Sequence, residues 1–268
     1  MFLGATVAPQ LTVADVRPTA LRPSVTRSRS IRRALTLLLI LVVAGAGFLW
    51  ILVASKTHPE DLPWTKLDLT RPVGAFTGRK IAAAHGSECR ALLADAGIRF
   101  EALPALRQDS ECGYDDAVRL LSGGAAPVAF RPAGLGTSCP VAAGLALWEW
   151  HVVQPAALAR FGSRVVAIDH FGSYSCRRMY GRRNGLWSEH ARANAVDVAG
   201  FRLEDGRRIS VAADWNDKGG KGRFLHQVRD GGCRLFATVL SPDYNAAHHD
   251  HLHLDEARRG SWGWRACR

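Results

Sequence analysis

Residues 34–54 read ALTLLLILVVAGAGFLWILVA, twenty-one consecutive residues without a charge. As a helix rising ~1.5 Å per residue, this stretch reaches the roughly 30 Å of a bilayer's hydrocarbon core. It divides the chain before any other feature is considered. Arg17, Arg22, Arg27, Arg29, Arg32 and Arg33 precede it, and SKTHPEDLPW, with one lysine and two acids, follows it. Cationic residues stay on the cytoplasmic side, so residues 1–33 are expected inside and everything past Ser55 outside. A cleaved signal peptide is the alternative. The run is longer than the apolar region of a usual signal, and no small-x-small site follows it.

Around this span the chain divides by composition. Residues 1–33 are rich in Pro, Arg, Ser and Thr and are expected to be a disordered basic segment on the cytoplasmic side. Residues 55–76 are expected to form an extended linker. The folded domain is expected over residues 77–268, and a hydrophobic content of 47% gives it ample material for a core. All six cysteines, at 89, 112, 139, 176, 233 and 267, lie beyond the apolar run, and no CxxC pair suggests a structural zinc. In an exported domain they read as up to three disulfides, with the pairing left open.

The formal net charge is +11, but most of the N-terminal contribution comes from the six arginines before the span. Past Ser55, twenty-nine bases face twenty-three acids. This is a mild, scattered excess without an aromatic-interleaved basic stripe, so no nucleic-acid partner is expected. A basic surface of this kind suits an anionic envelope polymer or simple solubility.

Local signals predict interspersed helices and strands. SECRALLADAG reads as a short helix from Ser87, stopped near Gly97 and followed by a strand over residues 99–103. APVAFRP reads as a second strand. TSCPVAAGLALWEWHVVQPAALARFG reads as a helix capped by Thr137 or Ser138, broken or kinked at Pro155 and ended by Gly162. RVVAID reads as a buried strand, NAVDVAGFRL and RRISVAA as a hairpin about Glu204-Asp205-Gly206, and GRFLHQVRDGG as a helix. The expected class is α+β: a small antiparallel sheet flanked by helices, stapled by disulfides, after an N-terminal transmembrane helix.

The chemistry concentrates in HHDHLHLD, residues 248–255. Side chains alternate faces along a strand, so His251, His253 and Asp255 share one face and Leu252 and Leu254 the other. Two histidines on a strand anchored by leucines can present nitrogens to one ion. A catalytic zinc takes three protein ligands and keeps one position open. The second half of such a site is expected in SEHARANAVDVAGF, residues 188–201. There Val196 and Val198 point one way and Asp197 the other. A carboxylate in an apolar strand is costly unless it meets a cation. His190 lies seven residues earlier, within reach if a turn precedes the strand.

SEHARANAVD fits the pattern S-x-H-x-x-G-x-A-x-D, and the later HLH fits H-x-H. The pair resembles the zinc peptidases that cut D-amino-acid bonds in bacterial cell walls, the D-Ala-D-Ala peptidases and penicillin-insensitive murein endopeptidases. YSCRR, SEHARANAVDVAGF, VRDGGCRLF, LSPDYNAAHHDHLHLD and the late cysteine resemble, more closely still, the bacterial extensin-like C-terminal domain family. The resemblance covers most of residues 80–268 and is strongest over residues 174–255. It implies that His190, Asp197 and His253 bind zinc. It implies that His251 acts as general base or orients the water, that His248 also serves the site, and that Ser188 supports it. It further implies that Arg177 or Arg178 holds a substrate carboxylate or the developing oxyanion. The implied protein is a zinc-dependent metallopeptidase acting on peptidoglycan, anchored in the bacterial inner membrane by residues 34–54 with its C-terminal domain in the periplasm. A non-catalytic peptidoglycan-binding or scaffold module on the same fold is the alternative. One departure from the motif is visible: its glycine is Ala193 here, and alanine fits only where φ is negative or the packing has room.

Other features have plainer readings. His249 is expected at the surface. Asp250 and Asp255 read either as partners of the histidines or as surface ion pairs. Trp215 reads as core, and DKGGKGR, residues 217–223, as a basic surface loop.

Overall fold

The computed structural model describes residues 25–259 and 265–268, and the chain divides into two compact units, residues 1–53 and 54–268. The first described element is helix α1, Val25–Thr57. Its stretch Arg29–Thr57 has a mean hydropathy of 2.8 and is long and apolar enough to cross a membrane. Of the segment expected to be disordered, residues 1–24 lie outside the described residues. Residues 25–33 are helical: once an apolar run forms a helix, adding a residue costs far less than nucleation, and arginine propagates it well.

The stretch expected as an extended linker is instead strapped to the folded unit. A single 3-10 turn spans Pro59–Asp61, and Leu62 and Leu69 are buried. The Lys80 ammonium donates to the Pro59 carbonyl (2.9 Å) and to Thr65 Oγ1 (2.8 Å), and Asp61 Oδ1 accepts from the Ala75 amide. The apolar residues of this Pro-rich, largely polar segment follow no helix or strand period, which is why the sequence reads as a tether.

The elements then run α2 Thr77–Ala83, α3 Gly86–Asp95, β1 Ile98–Ala102, β2 Leu106–Arg107, β3 Gly113–Tyr114, β4 Ala117–Gly124, β5 Ala129–Arg131 and β6 Gly136–Ser138. Helix α4, Cys139–Trp148, follows β6 directly. Ser138 caps it by accepting from the Val141 amide. Pro155 leaves its mark one turn upstream, where the backbone relaxes into a π-helical turn, Glu149–Val153. Helix α5, Gln154–Phe161, continues from it and ends at Gly162, whose φ of +63° provides the left-handed cap. Next come β7 Val165–His170, β8 Ala195–Leu203, β9 Arg208–Ser210, α6 Val211–Asp214, α7 Gly220–Gly232, β10 Thr238–Leu240, β11 Leu252–Asp255 and β12 Ala266–Cys267. The loop read as DKGGKGR starts α7: Asp217 accepts from the amides of Gly219, Lys221 and Gly222.

The main sheet has the order β12-β10-β11-β8-β7-β5, with β9 paired to β8, and a smaller antiparallel sheet joins β1, β4 and β6. The expected antiparallel pairing holds through the centre of the main sheet. Its edge pairs β5–β7 and β10–β12 are parallel. The β5–β7 connection runs through α4 and α5, and a parallel neighbour requires a crossover of that length. Helices α4 and α7 cover one face of the sheet. Val196, Val198, Leu252 and Leu254 are fully buried against them, and Trp148 donates its indole N–H to the Val228 carbonyl. Three disulfides, Cys89–Cys139, Cys112–Cys176 and Cys233–Cys267, staple the unit, and no described cysteine is free. The second of them ties the loop before Arg177 to the β2–β3 region.

Candidate metal centre

The face of β8 and β11 opposite the helices carries the polar cluster. The two strands pair antiparallel with His253 opposite Asp197, so the register alone brings those side chains together. His190 arrives from a 3-10 turn, Glu189–Arg192, capped by Ser188, whose hydroxyl accepts from the His190 amide. The turn resolves the sequence difficulty of a histidine seven residues before Asp197. Ala193 closes it in the left-handed region at φ +52°. The alanine therefore occupies the conformation that favours glycine. The strain of about 1–2 kcal/mol is held by the Ala193 carbonyl, which accepts from the Ser138 amide, Thr137 Oγ1 and Ser173 Oγ.

Proton positions follow from the partners. His190 Nδ1 lies 2.6 Å from the Ser173 carbonyl oxygen. A carbonyl only accepts, so Nδ1 carries the proton and Nε2 of the neutral ring is a bare lone pair. His253 Nε2 lies 3.1 Å from Asp255 Oδ2, so in the neutral ring Nε2–H donates to that carboxylate and Nδ1 is bare. These two nitrogens and Asp197 Oδ1 are 3.1, 3.2 and 3.0 Å apart. Three lone-pair atoms at such distances, all buried, repel unless a cation lies among them. The edge of a tetrahedron built on metal–ligand bonds of ~2.0 Å is about 3.3 Å, so the spacing fits one face of a four-coordinate zinc. In the metal-free protein a proton fills the role. Burial works to lower the pKa of His253, but Asp197 and Asp255 override it and push it up to about 9. Burial likewise works to raise Asp197, and the hydrogen bonds from His190 and His253 overturn that and hold it well below the usual carboxylate range.

Two further histidines rim the cluster. His251 Nδ1 lies 2.8 Å from Asp250 Oδ1, which leaves Nε2 bare 3.4 Å from Asp197 Oδ1. His248 Nδ1 lies 2.8 Å from Asn245 Oδ1. The orientation of that amide is fixed because Oδ1 also accepts from the Ala247 amide while Nδ2 faces the Tyr180 hydroxyl. His248 therefore donates through Nδ1 and keeps Nε2 bare. Its burial, reinforced by the neighbouring His253 and His251, pulls its pKa down to about 4. Tyr180 and Tyr244 pack against its ring at 6.3 and 5.6 Å between centroids.

The structure separates the two candidate arginines. Arg177 Nη2 stands 3.9 Å from Asp197 Oδ2. Arg178 stacks on Trp187 at 4.3 Å and donates to the Gly185 carbonyl, away from the cluster. Asp250 and Asp255 are the histidines' partners rather than simple surface acids, and His249 is exposed. Asn245, Tyr180, Tyr244 and the Ser173 carbonyl escape sequence reasoning. Asn245 alone carried a signal, since Asn readily opens an Asx-type turn, here closed by the Ala247 amide two residues on. Two other groups of ligand-type atoms lie close together among the described residues. One includes Cys112 and Cys176, which are bonded to each other, and the other is the partly exposed His58, Glu60 and Asp61.

A family model described as Extensin-like protein C-terminus matches residues 87–268. No curated protein and no solved structure matches the chain.

Proposed function

The chain belongs to the extensin-like C-terminal family, and on that premise we propose that it is a membrane-anchored, zinc-dependent peptidase acting on the cross-links or stem peptides of peptidoglycan. Residues 34–54 anchor it in the inner membrane, and the folded unit lies on the periplasmic side. The observation that carries the reading is the convergence of His190 Nε2, Asp197 Oδ1 and His253 Nδ1 within 3.2 Å of one another, each bare of a proton in the neutral state.

Those three atoms would hold the zinc. Bound there, zinc would supply Lewis acidity, bringing the pKa of water to about 7 and polarising a peptide carbonyl. The chain's own groups do the rest. His251 accepts the proton of the attacking water at Nε2 and returns it to the leaving amine, and Asp250 behind Nδ1 stabilises the imidazolium between those steps. His248, neutral at pH 7, accepts a hydrogen bond at Nε2 and orients substrate or water. Arg177, half exposed beside Asp197, binds a substrate carboxylate or the developing oxyanion. Asp255 fixes the His253 tautomer, and the Ser173 carbonyl fixes that of His190.

The test is metal analysis of the purified chain together with mass spectrometry of sacculus fragments after incubation with and without chelator. The peptidase reading expects about one zinc per chain and chelator-sensitive peptide products. It also expects a His251→Ala variant that keeps zinc and loses turnover. Muropeptide affinity that survives in that variant, with no product from the wild type, identifies a binding module instead.

A further inference from the structure

On the opposite side of the helical layer from the metal centre, α5 and α7 border an open groove of about 670 Å³. Arg223 and Arg234 both line it. Arg223 is in the first turn of α7 and Arg234 two residues beyond its end. Arg160, at the end of α5, also lines it and donates to Gln227 Oε1 at 3.0 Å. Among the described residues none of these three arginines is ion-paired with a carboxylate. The one acid lining the groove, Asp230, is bound to Arg229. Val152 and Pro155 give it an apolar wall. Arg223 lies within electrostatic reach of Asp217, and neither Arg160 nor Arg234 has a carboxylate at ion-pair distance; guanidinium groups so placed beside apolar surface select an anionic, amphiphilic ligand.

The chain's own path says which one. Arg234 donates to the Val73 carbonyl at 3.0 Å, and Arg71, two residues before Val73, donates to the carbonyl of Thr57. Hydrogen bonds thus tie the groove, through Arg234, to the strap that leads back to residue 57 and the apolar stretch before it. We propose that this groove docks the headgroups of anionic phospholipids. The proposal rests on the reading of residues 34–54 as a membrane anchor. It does not depend on the chemistry assigned to the metal centre.

The experiment uses the full chain in nanodiscs of phosphatidylcholine alone or with about a third phosphatidylglycerol, read by hydrogen exchange. Amides of α5 and α7 are expected to exchange several-fold more slowly in the anionic discs only. The protection should vanish in the R160E/R223E double variant, both positions being exposed, and at high salt. Residues 34–54 should be protected in both discs. Protection of 34–54 with identical exchange in α5 and α7 overturns the docking alone. Exposure of 34–54 in both discs overturns the anchor reading and the docking with it. Soluble muropeptides that slow α7 in neutral discs overturn it in favour of a wall polymer as the occupant.

Discussion

Strands β8 and β11 have two faces of opposite character built from alternate residues. On one, Val196, Val198, Leu252 and Leu254 are fully buried beneath α4 and α7. On the other, Asp197, His253 and Asp255 are nearly as buried yet ionisable. The backbone is shared, so the difference teaches what each face is for. The apolar face supplies the free energy that holds the strands in register. The polar face uses that register to hold three bare ligand atoms together, an arrangement that is unfavourable by itself. Stability and metal affinity should therefore separate under mutation.

The sharpest break is a pair of single substitutions. Leu254→Ala removes a fully buried side chain and is expected to cost about 2–5 kcal/mol of unfolding free energy while the folded fraction still binds one zinc. His253→Ala, one residue away, should abolish stoichiometric zinc binding and, at pH 10 where the His253 proton is lost in both states and contributes nothing, change the stability of the metal-free protein by much less. Chemical denaturation and metal analysis on the same samples read both. A His253→Ala variant as destabilised as Leu254→Ala would show that the polar face also holds the fold together.

Acidity gives the second test, on metal-free protein. The raised pKa of His253, about 9 against 6.5 in the unfolded chain, contributes stability that is fully present below pH 6.5 and lost as pH rises through 9. That shift corresponds to about 3 kcal/mol. His248, lowered to about 4, acts in the opposite sense: stability falls as pH drops from 6.5 toward 4, where the unfolded chain takes up a proton that the folded one resists. Asp197, depressed by its hydrogen bonds, adds a loss only below the ordinary carboxylate range. Metal-free stability should peak near pH 6.5. Zinc should remove the alkaline limb, since the metal displaces the His253 proton. Denaturant midpoints across pH 4–10 check it, and a flat profile from 6.5 to 9 would remove the His253–Asp197 pair from the account.

Smaller effects belong to the groups that orient the histidines. Asp250→Asn should lower turnover about 10- to 100-fold with zinc retained, by weakening the base behind His251. Asn245→Ala should cost less, because His248 keeps its place through burial and the two tyrosines. Nitrogen-15 shifts of the His248 ring would report loss of the fixed Nδ1–H tautomer independently of activity. An Asn245→Ala variant whose His248 ring shifts match wild type would show that Asn245 does not set the tautomer.

What the sequence made legible follows the same division. Wherever a repeat governs the side chain, the reading was direct. The period of two in HLHLD and NAVDVAG set the faces of both strands, the Ser138 cap and Gly162 bounded the long helix, and the hairpin turned about Asp205-Gly206 as expected. The hairpin's second strand, however, ends at Ser210, whose hydroxyl caps the short helix α6, where RRISVAA reads as strand throughout. Groups on irregular backbone were opaque. Arg177 and Arg178 are neighbours in a loop with no period, so only coordinates decide which one faces Asp197. The Ser173 carbonyl has no side-chain signature at all. Leu62 and Leu69 are buried in a strap whose apolar residues follow no period, so nothing in the sequence hints that it is packed. The pairing of six cysteines depends on long-range approach, which composition does not encode.

The smallest expected effect tests the turn that delivers His190. Ala193 and Ala195 are two residues apart and both are fully buried, but Ala193 sits at φ +52° and Ala195 lies in β8. Replacing either by glycine deletes one buried methyl, worth roughly 0.8 kcal/mol, and adds about 0.5–1 kcal/mol of unfolded-chain entropy. Only at position 193 does the change also release about 1–2 kcal/mol of left-handed strain. Ala193→Gly should therefore fall within about 1 kcal/mol of the parent, and Ala195→Gly should cost about 2 kcal/mol. Equal losses at the two positions would mean that the Ala193 turn is unstrained. The three donors on its carbonyl would then be ordinary packing rather than the clamp that keeps His190 aimed at Asp197.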